Sequence, residues 1–212
     1  MSMSAGLSIF VLVVLVIVGW FALGTHTNVR KGHRFLEWLQ EGLPLLGEKT
    51  TLRWLGSSVV QLKIEKAHDP FRRAEVLVVL EPRDVPPLWL LSRLRGRRDL
   101  LIVRTELRTV PRQQVEILRP AAWSTRAIDR EVNQLRWQPL SVDGQPFHVY
   151  SPPPVAEVRE LISETDRCAL PLVRVGVRQL NNALEVQWQL PAQPDSTSRT
   201  AFEAVQRLAQ KV

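Results

Sequence analysis

The chain has 212 residues, 28 of them basic and 21 acidic, for a formal net charge of +7 and a sequence pI near 10.4. Cys168 is the single cysteine, which excludes an intrachain disulfide, and the four histidines, His26, His33, His68 and His148, are too scattered for a familiar zinc framework. The basic residues are mostly arginines, a bias that suits phosphate recognition and follows equally from a GC-rich genome.

The first charged residue is Arg30, and the run from Ala5 to Leu23 ahead of it is apolar. Such a run, at about 1.5 Å per helical residue, covers the roughly 30 Å hydrocarbon core of a bilayer. Its length and the lack of a basic residue in MSMSAG favour a retained anchor over a cleaved signal peptide. Arg30, Lys31 and Arg34 follow the run, so the positive-inside rule leaves Met1 outside and the remainder cytoplasmic. The membrane would be the plasma membrane in a prokaryote and the endoplasmic reticulum in a eukaryote. The absence of an Asn-x-Ser/Thr sequon agrees with that side. The reading is an extracytoplasmic tail at 1–4, a transmembrane helix at 5–24, a juxtamembrane helix and linker at 25–48, and an α+β domain in two parts, 49–151 and 152–212. Trp20, Arg30, Lys31, Arg34 and Trp38 are the expected membrane-interface anchors.

In chain order, Phe35, Leu36, Trp38, Leu39 and Leu43 form a helical stripe that Pro44 limits. TLRWL and VVQLKIEKA alternate as strands with one wet face, turning at Gly56-Ser57-Ser58 and ending at His68-Asp69-Pro70. Ala74 to Leu80 reads as a central strand. Pro86-Pro87 opens a short helix from Leu88 to Arg95, which Gly96 stops. DLLIVRTELR and QQVEILR predict a strand pair around Pro111, and Trp123 to Leu135 a helix. QPLSV and QPFHVY form a hairpin about Asp143-Gly144, and Pro152-Pro153-Pro154 is a stiff connector. VAEVRELI is helical, LVRVGVRQL and ALEVQWQL make a hairpin about Asn181-Asn182, and TAFEAVQRLAQKV closes as an amphipathic helix with Phe202, Val205 and Leu208 inward. Hairpins dominate and no βαβ alternation is sustained, so the fold class is α+β with a mainly antiparallel sheet.

No nucleophile elbow and no glycine-rich phosphate loop is present, and His68-Asp69 beside Ser57 and Ser58 reads as a turn rather than a triad. No catalytic residue, cofactor or small-molecule substrate is implied. The outstanding segment is Trp89 to Arg98, where Leu88, Trp89, Leu90, Leu91 and Leu94 adjoin Arg93, Arg95, Arg97 and Arg98. Trp89 and these four arginines form a candidate surface for lipid, RNA or a protein partner. The alternative is that Trp89, Leu90 and Leu94 are core and the arginines pair with Asp84, Asp99, Glu106 or solvent.

The Trp-containing helix leading to LPLLGE, the strand SSVVQLKIEK, the segment GRRDLLIVR and the late LEVQWQLP before a final helix resemble the calumin family. Members are single-pass proteins of the PAT complex in the multipass translocon. The resemblance covers most of Asn28 to Val212 and implies a non-enzymatic factor that assists insertion of multipass membrane proteins. Its partners would be the bilayer, a translocon or another membrane protein, and the ribosome. The sequence to Val212 lacks the family's long Lys/Glu-rich tail, which weighs against that route of ribosome docking. A structural accessory subunit of a respiratory, photosynthetic or transport complex is the alternative expectation, ahead of a membrane-bound hydrolase.

Overall fold

The computed structural model describes residues 3–120, 138–142, 144–150, 154–193 and 197–212. Its first element is a helix, α1 (Met3–Leu39), followed by a 3-10 turn at Leu43–Leu45. Strands β1 (Gly47–Leu55), β2 (Val59–Ala67) and β3 (Phe71–Val79) form a meander. Helix α2 (Pro86–Leu94) precedes β4 (Leu100–Leu107) and β5 (Val115–Leu118). Then come β6 (Gln138–Val142), β7 (Gln145–Tyr150), α3 (Val155–Asp166), β8 (Leu172–Arg178), β9 (Ala183–Gln189) and α4 (Arg199–Lys211). All nine strands join one antiparallel sheet, in the order β1-β2-β3-β4-β9-β8-β5-β7-β6, and the protein is α+β as the patterning implies.

Alternation along the strands builds the core. Val60, Leu62 and Ile64 of β2, Ala74, Val76 and Val78 of β3, and Leu101 and Val103 of β4 point to one face. Val186 and Trp188 of β9 and Val175 and Val177 of β8 continue that face, and all are buried. Phe35, Leu36 and Leu39 of α1 cover it together with Phe202, Val205 and Leu208 of α4 and Val158, Leu161 and Ile162 of α3. Helices α3 and α4 are clamped by Glu164, which accepts from Arg207 at 2.8 Å and from Lys211 at 3.0 Å. Asn182 and Gly144, at φ 50° and 76°, supply the left-handed residues that the β8–β9 and β6–β7 turns require.

Two expectations are corrected. The juxtamembrane helix expected within 25–48 is not an element apart from the span, because α1 runs unbroken from the apolar stretch to Leu39. Its second half is covered by the domain it enters, while the large apolar side chains from Leu7 to Leu23 are exposed, by 41 to 70 %. β4 and β5 do not pair around Pro111. The β8–β9 hairpin lies between them, with Val103 opposite Val186 and Ile117 opposite Val175. The hairpin brings two strands with apolar inner faces, which bury more surface than direct pairing across the Pro111 turn would. The sheet therefore continues across the triple-proline region, joining strands from both expected parts. The helix expected over Trp123 to Leu135, and Pro152 and Pro153, lie outside the described residues.

Phe202 is fully buried where the chain leaves α1, and a Cβ on Gly42 would collide with its ring. Phe202→Ala is expected to cost about 3–5 kcal/mol. Denaturant titration of the detergent-solubilised protein should show this as a lower midpoint at unchanged slope.

Candidate functional site

The apolar half of α1 and the sheet meet at a cluster of polar side chains. Trp20, Gly24, Thr27, Asn28 and Lys31 recur at three- and four-residue intervals, which places them on one stripe of α1. The stripe faces the loop between β3 and α2 and the residue that precedes β4. Gly24 is required by this approach, since a Cβ there would collide with the Arg83 carbonyl and lie 2.6 Å from the Asp84 Cα. The indole N–H of Trp20 donates to the same Arg83 carbonyl at 3.0 Å.

Inside the contact lie two carboxylates, Glu81 and Asp99, only 2 % and 3 % exposed. Charges so buried are tolerated when paired and fully hydrogen bonded. The Arg83 guanidinium grips Asp99 with both of its terminal nitrogens, at 3.1 and 3.0 Å. Lys31 donates to Asp99 from α1, and the Glu81 amide donates to it at 2.7 Å. Fully buried Asn28 bridges in both directions, accepting from Arg83 at 3.1 Å and donating to the Glu81 carbonyl at 3.0 Å. The Glu81 side chain accepts from the Trp89 indole at 2.8 Å and pairs with Arg93 at 3.4 Å. Burial alone would push the Asp99 carboxyl up, but the hydrogen bonds from Arg83 and Lys31 outweigh it and hold it below the ordinary aspartate range. Lys31 and Arg83 balance Glu81 and Asp99, so the inner group is neutral as a whole. Each of its members is a donor or acceptor to another, which makes the cluster a fastening between helix and sheet.

The expected surface residues divide. Trp89 and Arg93 belong to the cluster, with the Arg93 guanidinium 5.7 Å from the Trp89 ring centre. Arg93 pairs with Glu81 rather than with Asp84, Asp99 or Glu106. Arg97 is half-buried, and that burial holds its guanidinium below its ordinary value against the pull of Glu81 and Asp99. Arg98 donates to the Arg93 and Arg97 carbonyls at 3.3 and 2.7 Å, while Arg95 is exposed. Among the expected anchors, Trp20 holds the loop, Lys31 is drawn into the cluster, and Arg30 and Arg34 are exposed. Trp38 lies about 27 Å along the helix from Trp20. It packs against the core and its carbonyl accepts from Ser198 at 2.7 Å, so it anchors the domain and not an interface. Ser57 sits near α1 and donates to Asp84 at 2.6 Å, whereas His68 lies at the opposite end of β2, so no triad forms.

Asn28, Glu81, Arg83 and Gly24 were not singled out by the sequence. The available signal was an acid and a base flanking Pro82, and an amide three residues before a lysine on a helix. A second polar line crosses the outer sheet face. Arg104 pairs with Glu185 at 2.8 Å, Glu185 with Arg174 at 3.3 Å, Arg174 with Glu116 at 2.9 Å and Glu116 with Arg178 at 3.1 Å. Burial raises the Glu185 carboxyl, but Arg174, Gln187 and Arg104 bring it below its ordinary value. Cys168 is buried, and that burial pushes its thiol up to about 11, so it is an unreactive group at neutral pH. Comparison of the chain with protein-family models and with curated proteins gives no match.

Asp99→Ala leaves Lys31 and Arg83 without their counter-charge and should cost about 3–5 kcal/mol, read by chemical denaturation. The depressed Asp99 carboxyl contributes stability that is complete above its unfolded value of about 3.9 and is lost as pH falls through the lower folded value. The parent protein should therefore lose stability on acidification below about pH 4, and Asp99→Ala should lose less over the same interval.

Proposed function

We propose that the chain is a single-pass membrane protein without catalytic function, oriented with Met1 outside, whose basic cytoplasmic domain serves the insertion or assembly of other membrane proteins near a translocon or ribosome. The observation that carries this reading is the uninterrupted helix α1, which is long and apolar enough to cross a membrane at one end and is part of the domain core at the other. A domain joined by a flexible linker samples many orientations, whereas one built on its own anchor presents a single face to the neighbouring bilayer. The exposed Arg30 and Arg34 just past the apolar stretch support the orientation, as does the net positive charge carried entirely after residue 29. The resemblance to the calumin family supports the role in biogenesis.

A second reading, an accessory subunit of a large membrane complex, is favoured by Gly19. Gly19 lies on the part of α1 that nothing in the domain covers, and its small size allows close approach of a neighbouring helix.

Affinity purification from native membranes separates the two. The biogenesis role predicts recovery of translocon components and nascent membrane proteins, with ribosome association that falls at high salt. Recovery of one assembly at fixed stoichiometry, whatever the salt, would establish the accessory role. His26→Pro, at an exposed position within the stripe by which α1 meets the loop, should kink α1, pull Trp20 and Gly24 off the Arg83 backbone and reduce partner recovery several-fold. Unchanged recovery would show that rigid presentation is not needed.

A further inference from the structure

We infer that α2 is a second membrane contact, a short helix lying in the lipid headgroup and acyl boundary beside the span. This rests on the reading of α1 as a membrane span and adds the partner of the Trp89–Arg98 surface.

Three observations place it. First, depth: the Trp89 ring of α2 packs on the Trp20 ring of α1, with centroids 6.2 Å apart, and Trp20 belongs to the last turn of the apolar stretch. Helix α2 therefore sits beside the end of the span and not out on the domain. Second, surface: Leu88, Leu90, Leu91 and Leu94 of α2 are exposed by 47, 53, 45 and 77 %, and Val85 just before them by 41 %. The opposite side of the helix is occupied, with Ser92 buried and Trp89 bonded to Glu81. Elsewhere in the described part of the domain, the exposed large apolar side chains are Leu52 and Leu55 of β1, Val110, Val155 and Leu180. On α2 four such side chains share one short helix, whose Trp89 touches Trp20 of α1 at the end of the exposed apolar stretch. Third, charge: the ridge ends in Arg93, Arg95, Arg97 and Arg98, and exposed Arg95 stands at headgroup level when the leucines are submerged. A cleft of about 240 Å³ between the helices, lined by Trp20, Leu23, Gly24, Thr27, Arg83 and Trp89, is apolar enough to seat part of an acyl chain.

A protein partner or RNA would have to cover the exposed Leu88, Leu90, Leu91 and Leu94. RNA in particular would meet a leucine ridge ahead of the arginines.

The test uses the full chain in lipid nanodiscs containing anionic phospholipid, with nitroxide labels at Leu91→Cys and Leu94→Cys, and reference labels at Val14→Cys and Leu180→Cys. Cys168 is buried and stays unlabelled. The expected result is that Leu91 and Leu94 labels collide with membrane-dissolved oxygen and are shielded from a water-soluble nickel chelate, like Val14 and unlike Leu180. Chelate access at Leu91 and Leu94 equal to that at Leu180, with Val14 shielded, would overturn the proposal and leave the span intact. Chelate access at Val14 would overturn the span itself. Shielding from both reagents, or shielding that arises only when ribosomes are added, would assign α2 to a protein or RNA partner and likewise overturn the lipid assignment. Leu91→Glu, which puts a charge on the exposed ridge, should restore chelate access at a Leu94 label at least in part.

Discussion

Two buried carboxylates, Glu81 and Asp99, constrain how the protein is put together. Left alone in a low-dielectric junction they would prevent the loop beneath them from packing. The sheet's own Arg83 meets part of the need, and the rest comes from α1 through Lys31 and Asn28. Helix and sheet are thus not merely pressed together by apolar burial, which is tolerant of sliding. Directional bonds set the rotation and the axial position of α1, because a shift by one residue would turn Asn28 away from Arg83. Gly24 sets the distance by admitting the backbone of the loop.

From that registration the arrangement of everything near the apolar end follows. Arg83 holds the loop, the loop begins α2, and Glu81 holds Trp89 and Arg93. The other end of the helix is fixed by different means, with Phe35, Leu36 and Leu39 immersed among residues of α4 and the sheet. Polar attachment at one end and apolar attachment at the other suit a helix that leaves a protein core for a different solvent. A hydrophobic junction at the apolar end would compete with lipid for the same side chains, while an ionic one does not.

Elements set by local chemistry were legible in the chain. The Asn181-Asn182 and Asp143-Gly144 turns, the Pro86-Pro87 start of α2 and the amphipathic pattern around Phe202 all depend on residues within a few positions of each other. The neighbours of β4 did not, because Leu101 and Val103 suit any partner with an apolar inner face, and only the assembled sheet selects Val186. Gly24-Thr25-His26-Thr27-Asn28 is a run of weak helix formers. It stays helical because the loop packs on Gly24 and because Asn28 bonds across to the sheet. The fastening was illegible for a related reason. Asn28 resembles ordinary flanking sequence, Glu81-Pro82-Arg83 resembles a turn, and their meaning depends on distance in space.

The placement of β9 between β4 and β8 has a consequence for how the protein is made. Val103 waits for Val186, and the core beneath both waits for Phe202 and Leu208. During synthesis the β1–β4 meander emerges with one edge unpaired and its inner face short of α4. Loop closure over so long a separation is slow compared with hairpin formation. The apolar stretch of α1 leaves the ribosome long before that, so on the proposed reading of α1 as a span it would meet the bilayer while the domain behind it is still open. Topology therefore sets an order within the chain: α1 is made first, and the sheet closes against it afterwards.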